Sequence, residues 1–532
     1  MLNAPTSMQL SMVTLPGCQP MERARPGGCS ADRKRETIQT RGVWPSPRKS
    51  AETVLMTPDQ FRQHGHQVID WLADYLATIA DRPVQATTRP GAIAAALPAE
   101  PPEQPEPFAD VLTDLDRLVL PGLSLWQHPR FFGYFPANAE PAGILGDLVS
   151  TGLGVLGLSW QSSPALTEVE EVTTGWVRHM VGLSDAWKGV IQDTASTSTL
   201  VALMTARERT TGYALGRGGL QAEPQPLAIY VSAQSHSSVD KAALLAGFGR
   251  DNVRLVPCDD ALAMRPDALA AMIAADQAAG IRPCAVVATT GTTATTAIDP
   301  IAGIAEVARR HDVWLHVDAA MAGSAMILPE CRHLWHGVED ADSIVINAHK
   351  WLGVPFDCSL YYVRDAEHLV RVMSTNPSFL QSSADGEVRN LRDWGIPLGR
   401  RFRALKLWFV IREQGVAGLQ ARLRRDMANA RWLAEQVAAT PGWRVVSPVT
   451  LQTVCVVHEP PGLSGEALDV HTRSWAEAVN RSGLAYLTPA TAHGRWMVRV
   501  SIGALPTEQS HVGEGWAAMR EAAEAMTPEA RL

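Results

Sequence analysis

The sequence predicts an α/β protein whose large domain is a mainly parallel sheet interleaved with helices. Three observations predict it. Short apolar, β-branched runs recur at 189–192, 227–231, 285–288, 313–317 and 344–346, the pattern of strands buried on both faces. Ala-rich stretches lie between them, which favours strand–helix–strand units over hairpins. Several of the runs end in hydroxyl, imidazole, carboxylate or ammonium side chains, at the edge where open α/β sheets bind ligands.

The totals leave room for this architecture. A chain of 532 residues can bury a large core and hold more than one domain. A net charge of −8 argues against an electrostatic nucleic-acid binder. The seven cysteines are scattered, odd in number and without a CxxC pair. That is no disulfide framework, and it predicts a reducing, cytoplasmic setting. The most apolar window, Ala142 to Trp160, is interrupted by Asp147 and repeated glycines, so no membrane span is expected there.

Taken in order, residues 1–55 carry Pro, Gly, Ser and Arg with no apolar period and predict a disordered extension. From Thr57 a Thr-Pro cap opens an amphipathic helix through Phe61, Val68, Ile69, Leu72, Tyr75 and Leu76. A Pro-rich linker (97–107) precedes a second helix over 108–118. Both helices show apolar faces that need covering. The stretch 126–136 is dense in aromatic rings. Gly152 to Gly157 matches GxGxxG, but it follows a helix-like segment and not a strand, so it is a decoy.

The run at 189–192 leads into Asp193-Thr194-Ala195-Ser196-Thr197-Ser198 and a helix over 200–207. Free amides and hydroxyls at a helix start suit a phosphate. The run at 227–231 leads to His236, and that at 285–288 leads to Thr289-Thr290-Gly291-Thr292-Thr293. Cys331, His333 and His336 are zinc-binding residue types, but their spacing makes no recognised four-ligand set and reads as a polar helix face.

The chemistry concentrates on two runs. Val313 to Ala320 ends in Asp318 followed by small residues, and Ile344 to Leu352 ends in Asn347, His349 and Lys350. The linker 329–339 has helical spacing, so the two strands should lie side by side with Asp318 and Lys350 at one edge. A lysine among apolar residues loses ammonium character by desolvation and becomes a nucleophilic amine. A lysine that forms a Schiff base and an aspartate that pairs with a pyridinium nitrogen are what pyridoxal phosphate requires.

On the segments HVDAAMAGSA (316–325) and NAHKWLGVPFDCS (347–359) the chain resembles the pyridoxal-phosphate-dependent group II decarboxylases, in their aromatic-L-amino-acid (dopa-type) branch. The likeness runs from about Met56, which looks like the ordinary beginning of that family, to about Ala523. It makes 1–55 a dispensable tail or the product of an upstream start codon. It implies a fold-type I enzyme with an N-terminal helical dimerisation domain (56–140), a large cofactor domain (141–404) and a small C-terminal α/β domain (405–532).

By the same resemblance Lys350 and Asp318 hold the cofactor, with Ala320, Asn347 and His349 beside them, and Thr194, Ala195 and Ser196 take its phosphate. Asp193 and Thr197 depart from the glycines common in that loop. His236 stacks on the ring and reaches the substrate carboxylate, while Thr293 lies near the phenolic oxygen. Tyr134, Phe135 and Pro136 wall the substrate ring, Leu156 and Leu158 reach the partner subunit's site in a homodimer, and Gly399 varies with ring size. Phe379 stands where the branch usually has the tyrosine that reprotonates Cα. Phenylalanine there accompanies oxidative deamination in resembling acetaldehyde synthases. The expected reaction is decarboxylation of aromatic L-amino acids to arylalkylamines, with an arylacetaldehyde synthase as the alternative. Remote alternatives are a zinc hydrolase and a non-catalytic scaffold. Neither a nucleic-acid nor a membrane partner is expected.

Overall fold

Where the sequence calls for a mainly parallel sheet, the computed structural model has one, of seven strands in the order β1-β7-β6-β5-β4-β2-β3. The structure describes residues 56–375 and 385–527. Three helices open the described chain, α1 (Pro58–Thr78), α2 (Ala92–Ala96) and α3 (Phe108–Asp114), followed by α4 (Pro141–Leu153) and α5 (Pro164–Val181). By its contacts the chain divides after Arg62, within α1, and everything from Gln63 onward is one compact unit.

The large sheet comprises β1 (Lys188–Gln192), β2 (Leu227–Ser232), β3 (Val253–Val256), β4 (Arg282–Thr289), β5 (Trp314–Asp318), β6 (Ser343–Asn347) and β7 (Ser359–Val363). Neighbours β3, β2, β4, β5 and β6 pair in parallel, and β7 is antiparallel to both β6 and β1. Strand β1 therefore points the same way as the parallel set, and only β7 is reversed. Helices α6 (Ala195–Thr211), α7 (Ser237–Leu245), α8 (Pro266–Ala278) and α9 (Ile301–Arg310) are the crossovers, and α10 (Ala366–Met373) follows β7. Residues of β2, β5, β6 and β7 are buried throughout, as sheets covered on both faces require.

The small C-terminal region is an antiparallel sheet in the order β10-β11-β9-β8. Its strands are β8 (Trp443–Val445), β9 (Thr453–His458), β10 (Thr488–Ala492) and β11 (Arg495–Ser501). Helices α12 (Gly465–Ser482) and α13 (Gln509–Ala525) accompany it. It has its own apolar core, in which Trp443, Trp475 and Trp516 meet edge to face. Among the described residues no helix is long and apolar enough to cross a membrane.

Two local expectations change. The linker 329–339 forms two 3-10 turns, Pro329–Trp335 and Val338–Asp340, broken by Gly337 at φ 93°. Cys331 and Trp335 are nevertheless buried, so the apolar spacing describes packing without a regular α-helix. The apolar spacing predicts two helices, over 402–414 and 417–437, and α11 (Ala404–Ala439) is two helical stretches that meet at a kink at Gly415, whose φ of 63° and ψ of 168° are not helical and suit a residue without Cβ. The helix expected from residue 200 begins at Ala195, because Thr194 caps it by accepting the Thr197 N–H.

Candidate active site

Five loops leave the same edge of the large sheet, after β1, β2, β4, β5 and β6, as the shared strand direction requires. They enclose a cavity of about 230 Å³ lined by Thr194, Ala195 and Ser196 after β1, His236 after β2, Thr293 after β4, Asp318 and Ala320 after β5, and Asn347, His349 and Lys350 after β6. All ten expected cofactor residues line this one cavity. Phe135 closes it on another side.

Its floor is the β5–β6 pair. Val317 faces Ile344 and Asp318 faces Val345 across a parallel ladder. The crossing continues past the strand ends, where Ala319 N–H donates to Val345 C=O at 3.1 Å and Asn347 N–H donates to Ala320 C=O at 2.9 Å. Asp318 is nearly buried, and Oδ1 accepts the Ala320 N–H at 3.0 Å. The Lys350 N–H donates to Asn347 C=O at 3.0 Å, closing the turn that aims its side chain inward. Burial holds the Lys350 ammonium below the ordinary lysine range, and the Arg499 guanidinium pushes the same way, while the Asp318 carboxylate opposes both. A lysine so placed supplies free amine more readily than one in water.

One end of the cavity suits a phosphate. The first amides of α6, at Ala195 and Ser196, have no acceptor within their own helix. Opposite them, His349 Nδ1 accepts the Cys358 N–H at 2.8 Å. Burial lowers the His349 pKa to about 3, so the ring is neutral and its single proton lies on Nε2, free to donate. Asn347 is held by Ser359 Oγ, which donates to its Oδ1 at 2.7 Å. The Asp193 carboxylate accepts its neighbour Thr194's N–H at 2.7 Å. A helix start, hydroxyls and a neutral imidazole at one end, with a lysine and a carboxylate at the floor, fit pyridoxal phosphate.

His236 is also polarised by its surroundings. Its Nδ1 accepts the Ser238 N–H at 3.1 Å and lies 2.8 Å from Ser238 Oγ. Burial lowers its pKa, with Asp318 opposing and Lys350 assisting. The neutral ring therefore carries its proton on Nε2.

The substrate-side residues are placed less directly. Phe135 lines the cavity, with Lys350 Nζ 5.4 Å from its ring centre. Tyr134 is half exposed, at φ 48°, in an aromatic group with Trp126 and Tyr486. Pro136 is buried against Gly503. Leu156, Leu158 and Gly399 lie together, away from this cavity. A Cβ on Gly399 would sit 2.9 Å from Leu156 Cδ1, and Gly157 N–H donates to Arg400 C=O at 2.9 Å. Phe379 lies outside the described residues. Cys331, His333 and His336 form no metal centre, since no cluster of three ligand-type residues exists among the described residues.

Sequence reasoning passed over Arg499. Its guanidinium is buried on β11, stacks 4.6 Å above Phe135 and donates to Tyr134 C=O at 2.6 Å. Burial lowers its pKa to about 10. The signal was present: a lone arginine inside the apolar run Met497 to Ile502.

Known proteins resemble this chain over most of its length. Residues 90–458 match the model of the pyridoxal-dependent decarboxylase conserved domain. The chain is 38% identical to tryptophan decarboxylase 2 of Oryza sativa subsp. japonica, covering 88% of this chain and 95% of that protein. It is 39% identical to phenylacetaldehyde synthase of Arabidopsis thaliana, over 88% of this chain and 96% of that protein. The solved structure of Oryza sativa TDC with PLP and tryptamine superposes with a TM-score of 0.86 at 36% identity, over 88% of this chain and 99% of that one.

Proposed function

The chain belongs to the pyridoxal-dependent decarboxylases, and from that premise we propose how its residues divide the decarboxylation of aromatic L-amino acids to arylalkylamines. The observation that carries the reading is the meeting of Asp318, Lys350 and the α6 N-terminus in one cavity. Pyridoxal phosphate, when bound, supplies a ring that accepts the electron pair left as CO₂ departs. Lys350 provides the amine that holds the cofactor and yields its place to the substrate amine. Asp318 keeps a proton on the ring nitrogen. The Ala195 and Ser196 amides, Thr194, Asn347 and His349 Nε2 anchor the phosphate. His236 would cover the ring, and its Nε2–H would meet and orient the substrate carboxylate. Phe135, held by Arg499, gives the aromatic side chain a face to stack on.

The same proposal includes a homodimer and a cytoplasmic location, with the boundaries 56–140, 141–404 and 405–532. The dimer is supported by α4, which exposes Leu145, Leu148, Val149 and Leu153 on one face, at helical spacing. It is also supported by the position of Leu156, Leu158 and Gly399, which are grouped where they do not wall their own cavity.

Phe379 favours one second reading. It has no hydroxyl to return a proton to Cα, so O₂ could intercept the reaction and give an arylacetaldehyde. The test is the product spectrum of the cofactor-loaded enzyme with L-tryptophan, L-tyrosine, L-dopa and L-phenylalanine, with oxygen uptake recorded. Amine and CO₂ without oxygen uptake are expected. Aldehyde, ammonia and peroxide with matching oxygen uptake would replace this reading by the second.

A further inference from the structure

Among the described residues strand β1 is an edge strand, paired only with β7. Edge strands leave backbone groups facing outward that must find partners. At Ile191 two buried, oppositely charged side chains supply them. The Ile191 N–H donates to Glu170 Oε1 at 2.9 Å, and Arg400 Nη2 donates to Ile191 C=O. Arg400 Nη2 also donates to Glu170 Oε1 at 2.9 Å. Glu170 is fully buried on α5 and Arg400 almost so. One residue on, Gln192 Nε2 donates to Trp394 C=O at 2.8 Å, and the chain then enters the loop Thr194 to Ser196.

Arg400 faces two ways. Its side chain grips the strand feeding the phosphate loop. Its backbone carbonyl accepts the Gly157 N–H at 2.9 Å, between Leu156 and Leu158 and next to Gly399. The ion pair is not built for stability alone: among the described residues, Glu170 Oε2 and Arg400 Nη1 are buried without hydrogen-bond partners. Charges left partly unsatisfied in a dry interior cost more than apolar side chains of similar size. What the pair provides is a fixed distance between two loops.

We propose that Glu170 and Arg400 are positioning residues that tie the phosphate loop to the loop pair carrying Leu156 and Gly399, so that cofactor retention and selectivity for the substrate ring are set together. The proposal rests on the preceding reading, in which the first loop holds the cofactor phosphate and the second walls the substrate. In a dimer the second loop pair serves the partner's site, so cofactor binding in one subunit is linked to ring selection in the other.

The test uses three variants, Glu170→Gln, Arg400→Lys and the double Glu170→Gln with Arg400→Met, beside the wild-type holoenzyme. Cofactor affinity is read by titrating pyridoxal phosphate into the stripped dimer and following its absorbance. Selectivity is the ratio of kcat/KM for L-tryptophan to that for L-phenylalanine, and folding is read as Tm. Each single variant should weaken cofactor affinity about 3- to 30-fold, the range of couplings carried through a packed network, and should shift selectivity with it. The double variant strands no charge, so its Tm should recover while affinity and selectivity stay shifted. Affinity that changes while selectivity does not, or a double variant that regains wild-type affinity and selectivity along with Tm, overturns the proposal. Should the single variants not fold, wild-type selectivity in the double variant overturns it as well. Wild-type protein that binds the cofactor and releases amine upholds the preceding reading whatever the variants do, whereas wild-type protein that binds no cofactor removes both.

Discussion

Asp318 and Lys350 reach one cavity from two adjacent parallel strands, while Leu156, Leu158 and Gly399 gather with one another but not around that cavity. The cofactor end of the site follows from strand direction: six strands end at one edge, and five of them deliver residues to the cavity there. The substrate end has no such rule. Its residues sit on loops and a helix end far apart in sequence, and on the proposed reading they meet a substrate only when two copies of the chain associate. On that reading one end is a property of the fold, and the other of the proposed dimer.

That contrast can be broken most forcefully at its cofactor end. Lys350→Ala should lower kcat by at least about 10⁴-fold, as removal of a covalent catalytic group does, and should leave a dimer of unchanged sedimentation without the bound-cofactor absorbance. An active Lys350→Ala enzyme would remove the lysine from the chemistry. At the substrate end, Leu148→Asp with Leu153→Asp on the exposed face of α4 should convert the dimer to monomer by analytical ultracentrifugation and cut kcat/KM by roughly 100-fold, through loss of alignment. A monomer of full activity would place the substrate wall within a single chain.

The smallest effect sharpens the cofactor end. His349 is buried and neutral, with a pKa lowered to about 3, whereas an unfolded histidine titrates near 6.5. The unfolded chain thus takes up a proton first, and the stability contributed by the neutral ring is present above about pH 6.5 and lost as pH falls toward 3. Between pH 7 and pH 5 this one group should cost about 2 kcal/mol. His349→Asn should be less stable than wild type at pH 7 and should lose correspondingly less on acidification, read from urea unfolding at both values. Parallel pH slopes for the two proteins would show that His349 does not titrate in this way.

How much of this was legible in the chain differs by residue. Asp318 and Lys350 stood out as a pair at the ends of two runs expected to be adjacent, since a lone lysine there reads as a surface residue. His236 and the α6 N-terminus, which alone read as a loop histidine and an ordinary cap, took their roles from the family resemblance. The reversed strand β7 was not, because Ser359 to Val363 is as apolar as its parallel neighbours and nothing in a run of buried residues records its direction. The break at Gly415 was legible, because the pattern separates 402–414 from 417–437 and the backbone at Gly415 leaves the helical conformation between them. Glu170 and Arg400 were invisible as a pair: one reads as an ordinary helix glutamate and the other as one of several arginines.

The amino-acid sequence by itself determined the fold class, the cofactor and the residues of the site floor. Those depend on short-range patterns, namely strand runs, what ends them, and a helix start rich in donors. Only the tertiary structure decided that Glu170 and Arg400 bind the edge of β1, that Arg499 backs Phe135, and that Gly399 lies against Leu156. These contacts join residues far apart in the chain, and no local period encodes which distant partners the packing of two sheets and their helices will bring together.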